Sequence, residues 1–153
     1  MNDCEVSVNC ESPEQTEVFG ELLGRNLKGG EVIELISDLG GGKTTLTRGI
    51  ARGARSSDVV GSPTFVVSKV YKAPKYDIHH FDFYRLTEAG LMEHELQDVL
   101  GDKNIVVVVE WGDVVKYVLP SNRITIEIKK TSDEGRDLLL KYPEDYKYLM
   151  DKS

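Results

Sequence analysis

The feature that most constrains this fold is a glycine-rich turn between a strand-like segment and a helix-like segment. It lies within EVIELISDLGGGKTTLTRGIARGAR, residues 31–55. The apolar run before the turn predicts a strand, and the spacing after it predicts a helix that begins near Lys43. Successive main-chain N–H groups of such a turn, together with the positive end of the helix, attract an anion. The sequence therefore predicts an α/β protein with a phosphate-binding loop.

The side chains of this loop suit a triphosphate accompanied by a metal ion. The Lys43 ammonium would reach the β and γ phosphates, the Thr44 hydroxyl would ligate Mg²⁺, and Thr45 would contact the α phosphate. The preceding glycines let the backbone curl around an anion without side chains in the way. The predicted nucleotide-binding positions of the loop are Gly40, Gly41, Gly42, Lys43, Thr44 and Thr45.

One loop position departs from the usual pattern G-x-x-x-x-G-K-[ST]. The pattern begins with glycine, and this chain has Ser37 there. Serine adopts many of the backbone angles found at that point unless φ is positive. The donors that hold phosphate come later, from residues 40–45, so we expect a working loop with a local adjustment at Ser37.

A phosphate site of this kind also needs a carboxylate at the end of a neighbouring buried strand, to serve the metal ion. Glu110 ends IVVVVE, a continuous apolar run that is typical of a strand covered on both faces. In HHFDFYRL, His80 and Asp82 share one face of an extended segment. Asp82 would position the attacking water or support the water shell of the metal. A transition-metal site built on His80 and Asp82 is the alternative, but it lacks a third ligand.

The organisation of the chain predicts one domain, residues 1–153, because this length suits a single core. Two pairs of neighbouring extended segments indicate hairpins: FVVSKVYK with YDIHHFDFY, and RITIEIKK with RDLLLKY. The predicted fold is a P-loop NTPase-like domain with a mixed, mostly parallel β-sheet. Helices flank this sheet, and the β-hairpins lie at one edge.

The composition limits which cellular location and which classes of binding partner we expect. The net charge of −7 argues against direct binding to nucleic acid over a broad surface, and no stable DNA binding is expected. Contact with RNA would need a local patch or a partner protein. No apolar run approaches the ~20 residues that span a bilayer, and the first ten residues lack an export signal. We therefore expect a cytoplasmic protein without a membrane partner.

Missing motifs favour ATP hydrolysis over other nucleotide chemistry. Guanine-specific GTPases use an Asn-Lys-x-Asp element, which this sequence lacks. A small P-loop kinase usually adds an arginine-bearing lid, and none is evident between Thr87 and Asn104. Two alternatives stay open. One is such a kinase, and the other is an ATP-binding regulatory or assembly module with little turnover.

Five motifs occur in a distinctive order: SDLGGGKTT, SPTF, HHFDFYRL, VVVEW and EGRD. This succession resembles the TsaE family, also called YjeE, which comprises small bacterial P-loop ATPases. The resemblance covers roughly residues 12–140. It implies hydrolysis of ATP to ADP with Mg²⁺, in concert with homologues of TsaD and TsaB. The resemblance further implies that the family works with TsaD and TsaB in making threonylcarbamoyladenosine next to the anticodon of tRNA, without making that bond itself. It implies that tRNA is met through the complex.

The resemblance also assigns roles to individual positions. Thr64 in SPTF resembles a switch residue that senses the γ phosphate, although Ser-Pro-Thr also suits the start of a strand. Arg136 in EGRD resembles an arginine that contacts the nucleotide, although a solvated arginine in a hairpin fits as well. The implied catalytic residues are Lys43, Asp82 and Glu110, and the implied metal ligands are Thr44 and Glu110.

A basic stripe is predicted on the helix after the loop. Arg48, Arg52 and Arg55 recur at spacings that place them on one helical face. Our hypothesis is that the stripe meets tRNA or an acidic partner surface, and the alternative is a solvated helix face.

Overall fold

The computed structural model describes residues 3–38, 42–61, 68–84 and 90–152, which form one seven-stranded sheet with helices on both faces. The strands are β1 (Asp3–Cys10), β2 (Val32–Ile36), β3 (Ser68–Tyr71), β4 (Asp77–Asp82), β5 (Ile105–Glu110), β6 (Ile124–Lys130) and β7 (Arg136–Pro143). The α-helices are α1 (Pro13–Asn26), α2 (Lys43–Gly53) and α3 (Leu91–Val99). Two 3₁₀ helices cover Gly112–Val115 and Glu144–Met150.

The strand order is β1-β7-β6-β2-β5-β4-β3. The pairs β2–β5, β2–β6 and β4–β5 are parallel, and the pairs β3–β4, β6–β7 and β1–β7 are antiparallel. Strands β1, β2, β4, β5 and β6 therefore point the same way, which confirms a mixed, mostly parallel sheet. The prediction of hairpins at one edge was wrong, because β3–β4 lies at one edge and β6–β7 extends the other. Local patterns predict a hairpin but do not fix the side of the sheet that it joins.

The two central strands, β2 and β5, are buried on both faces. Ile33 and Leu35 of β2 enter a cluster with α1 and α2, whereas Val32 enters a cluster with α3 on the opposite face. The valines of β5 alternate between the same two clusters. Apolar surroundings on both faces explain why IVVVVE shows no alternation between apolar and polar residues.

Helix α1 begins with a Ser12 cap, whose Oγ accepts a hydrogen bond from the Gln15 main-chain N–H at 3.2 Å. The Gln15 side chain accepts from the Glu11 N–H at 2.8 Å, one residue before the position expected in a capping box. Val18 lies outside the buried face of α1, with 62% of its surface exposed.

Glycines, rather than apolar side chains, form the contact between α1 and α2. Gly20 and Gly24 of α1 face Gly49 and Gly53 of α2. A Cβ atom on Gly20 would lie 2.6 Å from the Leu46 main-chain oxygen and 2.9 Å from the Gly49 Cα. On each of the other three glycines it would lie closer still to main-chain atoms of the facing helix. The two helices thus touch backbone to backbone, which fixes the distance of α2 from α1.

Several segment ends differ from the sequence expectations. Helix α2 ends at Gly53, and Arg55 adopts a left-handed backbone with φ of 69°. The final segment, Glu144–Met150, forms a 3₁₀ helix. Cys4 and Cys10 lie on one face of β1 as free thiols. Among the described residues, no helix is long and apolar enough to cross a membrane.

The glycine contact makes a first prediction. Gly24→Ala places a methyl group against the Ile50 main-chain oxygen, so the helices must separate. We expect a loss of about 2 kcal/mol or more in the free energy of unfolding, measured by urea denaturation. The matched control, Val18→Ala, changes an exposed position of the same helix and should alter stability by about 0.5 kcal/mol or less. Equal effects of the two substitutions would contradict a close backbone contact.

Candidate active site

The carboxyl ends of the central parallel strands bring the predicted carboxylates together. Asp82 ends β4, Glu110 ends β5, and the two residues are register partners on adjacent strands. On its other side, Glu110 is the register partner of Leu35, one residue before the end of β2. Lys43 begins α2 directly after Gly42. The predicted catalytic residues Lys43, Asp82 and Glu110 therefore lie together at the carboxyl ends of the central strands.

The N-terminus of α2 is shaped by Gly42. Its φ of 101° lies in the left-handed region, where glycine is strongly favoured, and no side chain caps the helix. The first turn contains no acidic residue, so the positive end of the helix is not neutralised locally. Thr44 and Thr45 lie in this turn and are half-buried. The predicted positions Gly40 and Gly41 lie outside the described residues.

The Lys43 side chain is buried beside neutral groups. Its Nζ donates to Ser37 Oγ at 3.2 Å and to the Asp38 main-chain oxygen at 3.3 Å, and it lies 4.8 Å from the centre of the Trp111 ring. Among the described residues other than glycine, φ is positive only at Arg55 and Trp111. Ser37 therefore needs no glycine-like backbone, and its hydroxyl serves as an acceptor for the ammonium group.

The Glu110 carboxylate forms a buried hydrogen bond with His80. The Glu110 side chain is 3% exposed, and its Oε2 lies 2.5 Å from the Nε2 of His80, which is fully buried. The Nδ1 of His80 lies 3.2 Å from the Tyr71 hydroxyl. Both ring nitrogens are thus engaged, which leaves the transition-metal alternative without its histidine ligand. The described residues contain no cluster of three or more His, Cys, Asp or Glu suited to a metal ion.

Sequence reasoning missed this pairing of His80 with Glu110. The two residues are far apart in the chain, and no motif links them. The one available signal was the alternation of β4, which places His80 on the same face as Asp82.

Asp82 is a half-buried carboxylate with an altered pKa. Burial raises the pKa of Asp82, while the hydrogen bond from the Tyr84 N–H, at 2.9 Å from Oδ1, acts in the opposite direction. The neighbouring Glu110 carboxylate raises it further, and His80 and Lys43 lower it. The net result is a pKa above the ordinary value for aspartate.

Trp111 turns the chain sharply after Glu110. It has a left-handed backbone with φ of 56°, an uncommon conformation for a bulky residue. Its ring is half-buried, packs against the α3-side cluster and contacts Tyr84 at a centroid distance of 4.9 Å. Trp111 thereby acts as a core residue and also forms a wall beside the Lys43 ammonium.

The structure brings Arg136 next to the loop. A Cβ atom on Gly42 would lie 3.4 Å from the Arg136 Nε, so the two residues are in close contact. Arg136 Nη1 donates to the main-chain oxygens of Ser132, Asp133 and Gly135 at 3.1, 3.2 and 2.7 Å. These bonds stiffen the hairpin turn that carries the guanidinium. Thr64, the other position implied by the resemblance, lies outside the described residues.

The predicted basic stripe on α2 is interrupted. Arg52 forms ion pairs with Glu17 and Glu21 of α1, at 2.8 and 3.3 Å. Arg48, Arg52 and Arg55 are all exposed. The central charge of the stripe therefore pairs with α1, and exposed ion pairs of this kind contribute little to stability.

Comparison with known proteins decides the family. A profile of the family described as "Threonylcarbamoyl adenosine biosynthesis protein TsaE" matches residues 10–138. The chain belongs to the TsaE family. A TsaE from Bacillus subtilis is 36% identical over 83% of this chain and 79% of its own length. A TsaE from Streptomyces coelicolor is 37% identical over 77% of this chain and 84% of its own. Both relatives are named tRNA threonylcarbamoyladenosine biosynthesis protein TsaE.

A solved structure supports the same assignment. The crystal structure of Bacillus subtilis YdiB superposes with a TM-score of 0.78 and 29% sequence identity. The superposition covers 97% of this chain and 93% of YdiB. The match includes nearly the whole domain, so the TsaE family likeness extends well beyond the phosphate loop.

The raised pKa of Asp82 predicts that ionisation of this carboxyl group lowers the stability of the folded protein. Because the folded-state pKa is raised, ionisation of Asp82 removes stability as pH rises from the ordinary aspartate range through the raised value. We expect Asp82→Asn to raise the Tm by a few degrees at pH 7, and this gain should vanish at acidic pH. Glu5→Gln, which neutralises an exposed carboxylate on β1, is the control and should leave the Tm unchanged. A gain that is equally large at all pH values would exclude ionisation as its cause.

Proposed function

We propose that this chain binds ATP with Mg²⁺ at the carboxyl end of β2 and hydrolyses it to ADP. The observation that carries the proposal is the convergence of Lys43, Asp82 and Glu110 at the carboxyl ends of the central strands. No side chain caps the N-terminus of α2 beside them. Membership of the TsaE family supports a role in tRNA threonylcarbamoyladenosine biosynthesis, the process for which its relatives are named.

The loop side of the site would hold the phosphates. Lys43 would exchange its two neutral oxygen partners for phosphate oxygens, which is favourable because the new partners are charged. Main-chain N–H groups of the glycine turn, including Gly42, would donate beside it. Arg136 lies against Gly42 and would add a second cation near the nucleotide. Gly40, Gly41 and Thr45 complete this part of the proposal.

The strand side of the site fits a magnesium ion. Mg²⁺ prefers oxygen ligands and commonly uses one or two carboxylates together with substrate phosphates. Glu110 supplies a buried carboxylate and Thr44 supplies a hydroxyl in the first turn of α2. When bound, the ion would neutralise charge on the transferred phosphoryl group. Asp82, next to Glu110, would orient the attacking water, and Thr64 would sense the γ phosphate.

The proposed partners are homologues of TsaD and TsaB, with tRNA met through their complex. The net charge of −7 disfavours broad direct contact with nucleic acid. Hydrolysis would then drive or reset the assembly between rounds of modification. Residues 90–104, which form α3 and its flanking turns, contain no arginine, which disfavours a kinase lid there.

Two substitutions separate binding from turnover. We expect Lys43→Ala to weaken ADP binding about tenfold or more, because a charge-assisted contact to phosphate is lost. Glu110→Gln should bind metal-free ADP almost normally and lower the rate of phosphate release at least about a hundredfold, since the metal geometry is lost. Calorimetry measures the binding, and a phosphate-release assay with and without TsaD and TsaB measures the turnover.

Lys116→Ala, at an exposed position after β5, is the matched control and should resemble the wild type. Normal hydrolysis by both site variants would place the catalytic site elsewhere. Nucleotide binding without phosphate release, even with the partners, would favour the regulatory module. Transfer of labelled phosphate to a small acceptor would favour the kinase.

Ser37 offers a further prediction at the loop. Its hydroxyl accepts from Lys43 and therefore competes with phosphate for the ammonium group. Ser37→Ala removes this competitor without freeing the backbone, so we expect ADP affinity to rise several-fold in calorimetric titration. Ser7→Ala, a hydroxyl deletion at an exposed position of β1, is the control. A fall in affinity would show instead that Ser37 supports the bound nucleotide.

A further inference from the structure

A line of buried polar groups runs from Glu110 across two neighbouring strands. Glu110 Oε2 lies 2.5 Å from His80 Nε2, and His80 Nδ1 lies 3.2 Å from the Tyr71 hydroxyl. The Tyr71 hydroxyl also lies 3.0 Å from the main-chain oxygen of Gly61, to which it donates. The line therefore joins the end of β5, through β4 and β3, to the chain just before residue 62.

Nothing in this line is exposed enough to rely on solvent for its hydrogen bonds. The exposed fractions are 0% for the His80 side chain, 3% for the Glu110 side chain and 1% for Tyr71. Burying a polar group is costly unless it finds a partner, and apolar side chains of similar size would fill the same space without that cost. The three side chains lie within hydrogen-bond distance of one another in sequence, so the line is a connected network.

We propose that His80 and Tyr71 are positioning residues that orient the Glu110 carboxylate and link it to the main chain at Gly61. This inference rests on the proposed role of Glu110 toward Mg²⁺. The line ends at the Gly61 main-chain oxygen, so protein side chains tie the orientation of Glu110 to the backbone at that point.

The orienting effect follows from the two oxygens of a carboxylate. His80 holds Oε2, so rotation of the Glu110 carboxylate about its terminal bond would break the hydrogen bond to the imidazole. The second oxygen consequently takes one fixed direction. Groups that hydrogen-bond to a metal ligand in this way commonly affect metal affinity or activity by about 10–100-fold.

The link to the main chain follows from the single proton of the Tyr71 hydroxyl. Two acceptors compete for it when His80 donates through Nε2: the Gly61 oxygen, and the unprotonated Nδ1 of the imidazole. A displacement of the Gly61 carbonyl therefore changes how firmly Tyr71 holds the imidazole. The imidazole in turn sets the orientation of Glu110.

Two substitutions of His80 test the orienting role as a matched pair. The terminal amide of glutamine reaches the place of Nε2, and the shorter amide of asparagine reaches the place of Nδ1. His80→Gln therefore retains a donor for Glu110, whereas His80→Asn loses it. The readout is the factor by which Mg²⁺ strengthens binding of an imido-bridged, nonhydrolysable ATP analogue, measured by calorimetry with and without the ion.

We expect this factor to fall about tenfold or more in His80→Asn and to stay within about threefold of the wild type in His80→Gln. Binding without Mg²⁺ should be unchanged in both variants, which a general loss of structure would not allow. Equal factors in the two variants would overturn the orienting role.

Tyr71→Phe tests the link, because it removes the hydroxyl and keeps the ring. We expect the factor to fall about threefold in the otherwise unchanged protein and not to fall further when His80→Asn is already present. Additive effects would overturn the link, since they would show that Tyr71 acts on the site by another route.

The wild type separates failure of this inference from failure of the proposed function. A wild-type protein whose binding of the analogue does not respond to Mg²⁺ contradicts the proposed function itself. A wild type that responds, together with a His80→Asn variant that responds equally, contradicts only the inference.

Discussion

The parallel pairing of β5 with β2 and β4 is the constraint on which the candidate site depends. Parallel strands have their carboxyl ends on the same side of the sheet, so residues from distant parts of the chain meet there. Side-chain alternation in β4 fixes the face of each residue: Phe81 enters the cluster beside α3, whereas His80 and Asp82 face the α2 side. A slip of one residue would bury Asp82 among apolar groups, and the cost of doing so stabilises the observed register.

The second requirement is the position of α2, because this helix carries Lys43. Four glycines set it against α1 at main-chain contact, and the ion pairs of Arg52 add to the same interface. Unusual backbone conformations flank the Lys43 ammonium, at Gly42 before it and at Trp111 beside it. The regular packing of α1, α2 and the sheet holds these conformations in place, as is common around functional sites.

Local patterns predicted the parts of this molecule that depend on neighbouring residues. The start of α2 at Lys43, the strand that ends in Glu110 and both hairpins follow from runs of a few residues. The side of the sheet that each hairpin joins depends on contacts between distant segments. The exposed Val18 of α1 shows that apolar residues do not mark the packed side of this helix, because its face toward α2 is made of glycine. The pairing of His80 with Glu110 depends on strand register, which the sequence of either strand alone does not specify.

The electrostatics of the site connect its stability with its proposed chemistry. Asp82 and Glu110 lie on adjacent strands, which are about 4.8 Å apart in a sheet, so their charges repel at short range. This repulsion contributes to the raised pKa of Asp82, after burial, and Lys43 offsets only part of the effect. A divalent cation at the same edge would attract both carboxylates and favour their ionised forms. The arrangement that weakens the protein at neutral pH is therefore the one that would bind magnesium together with a nucleotide.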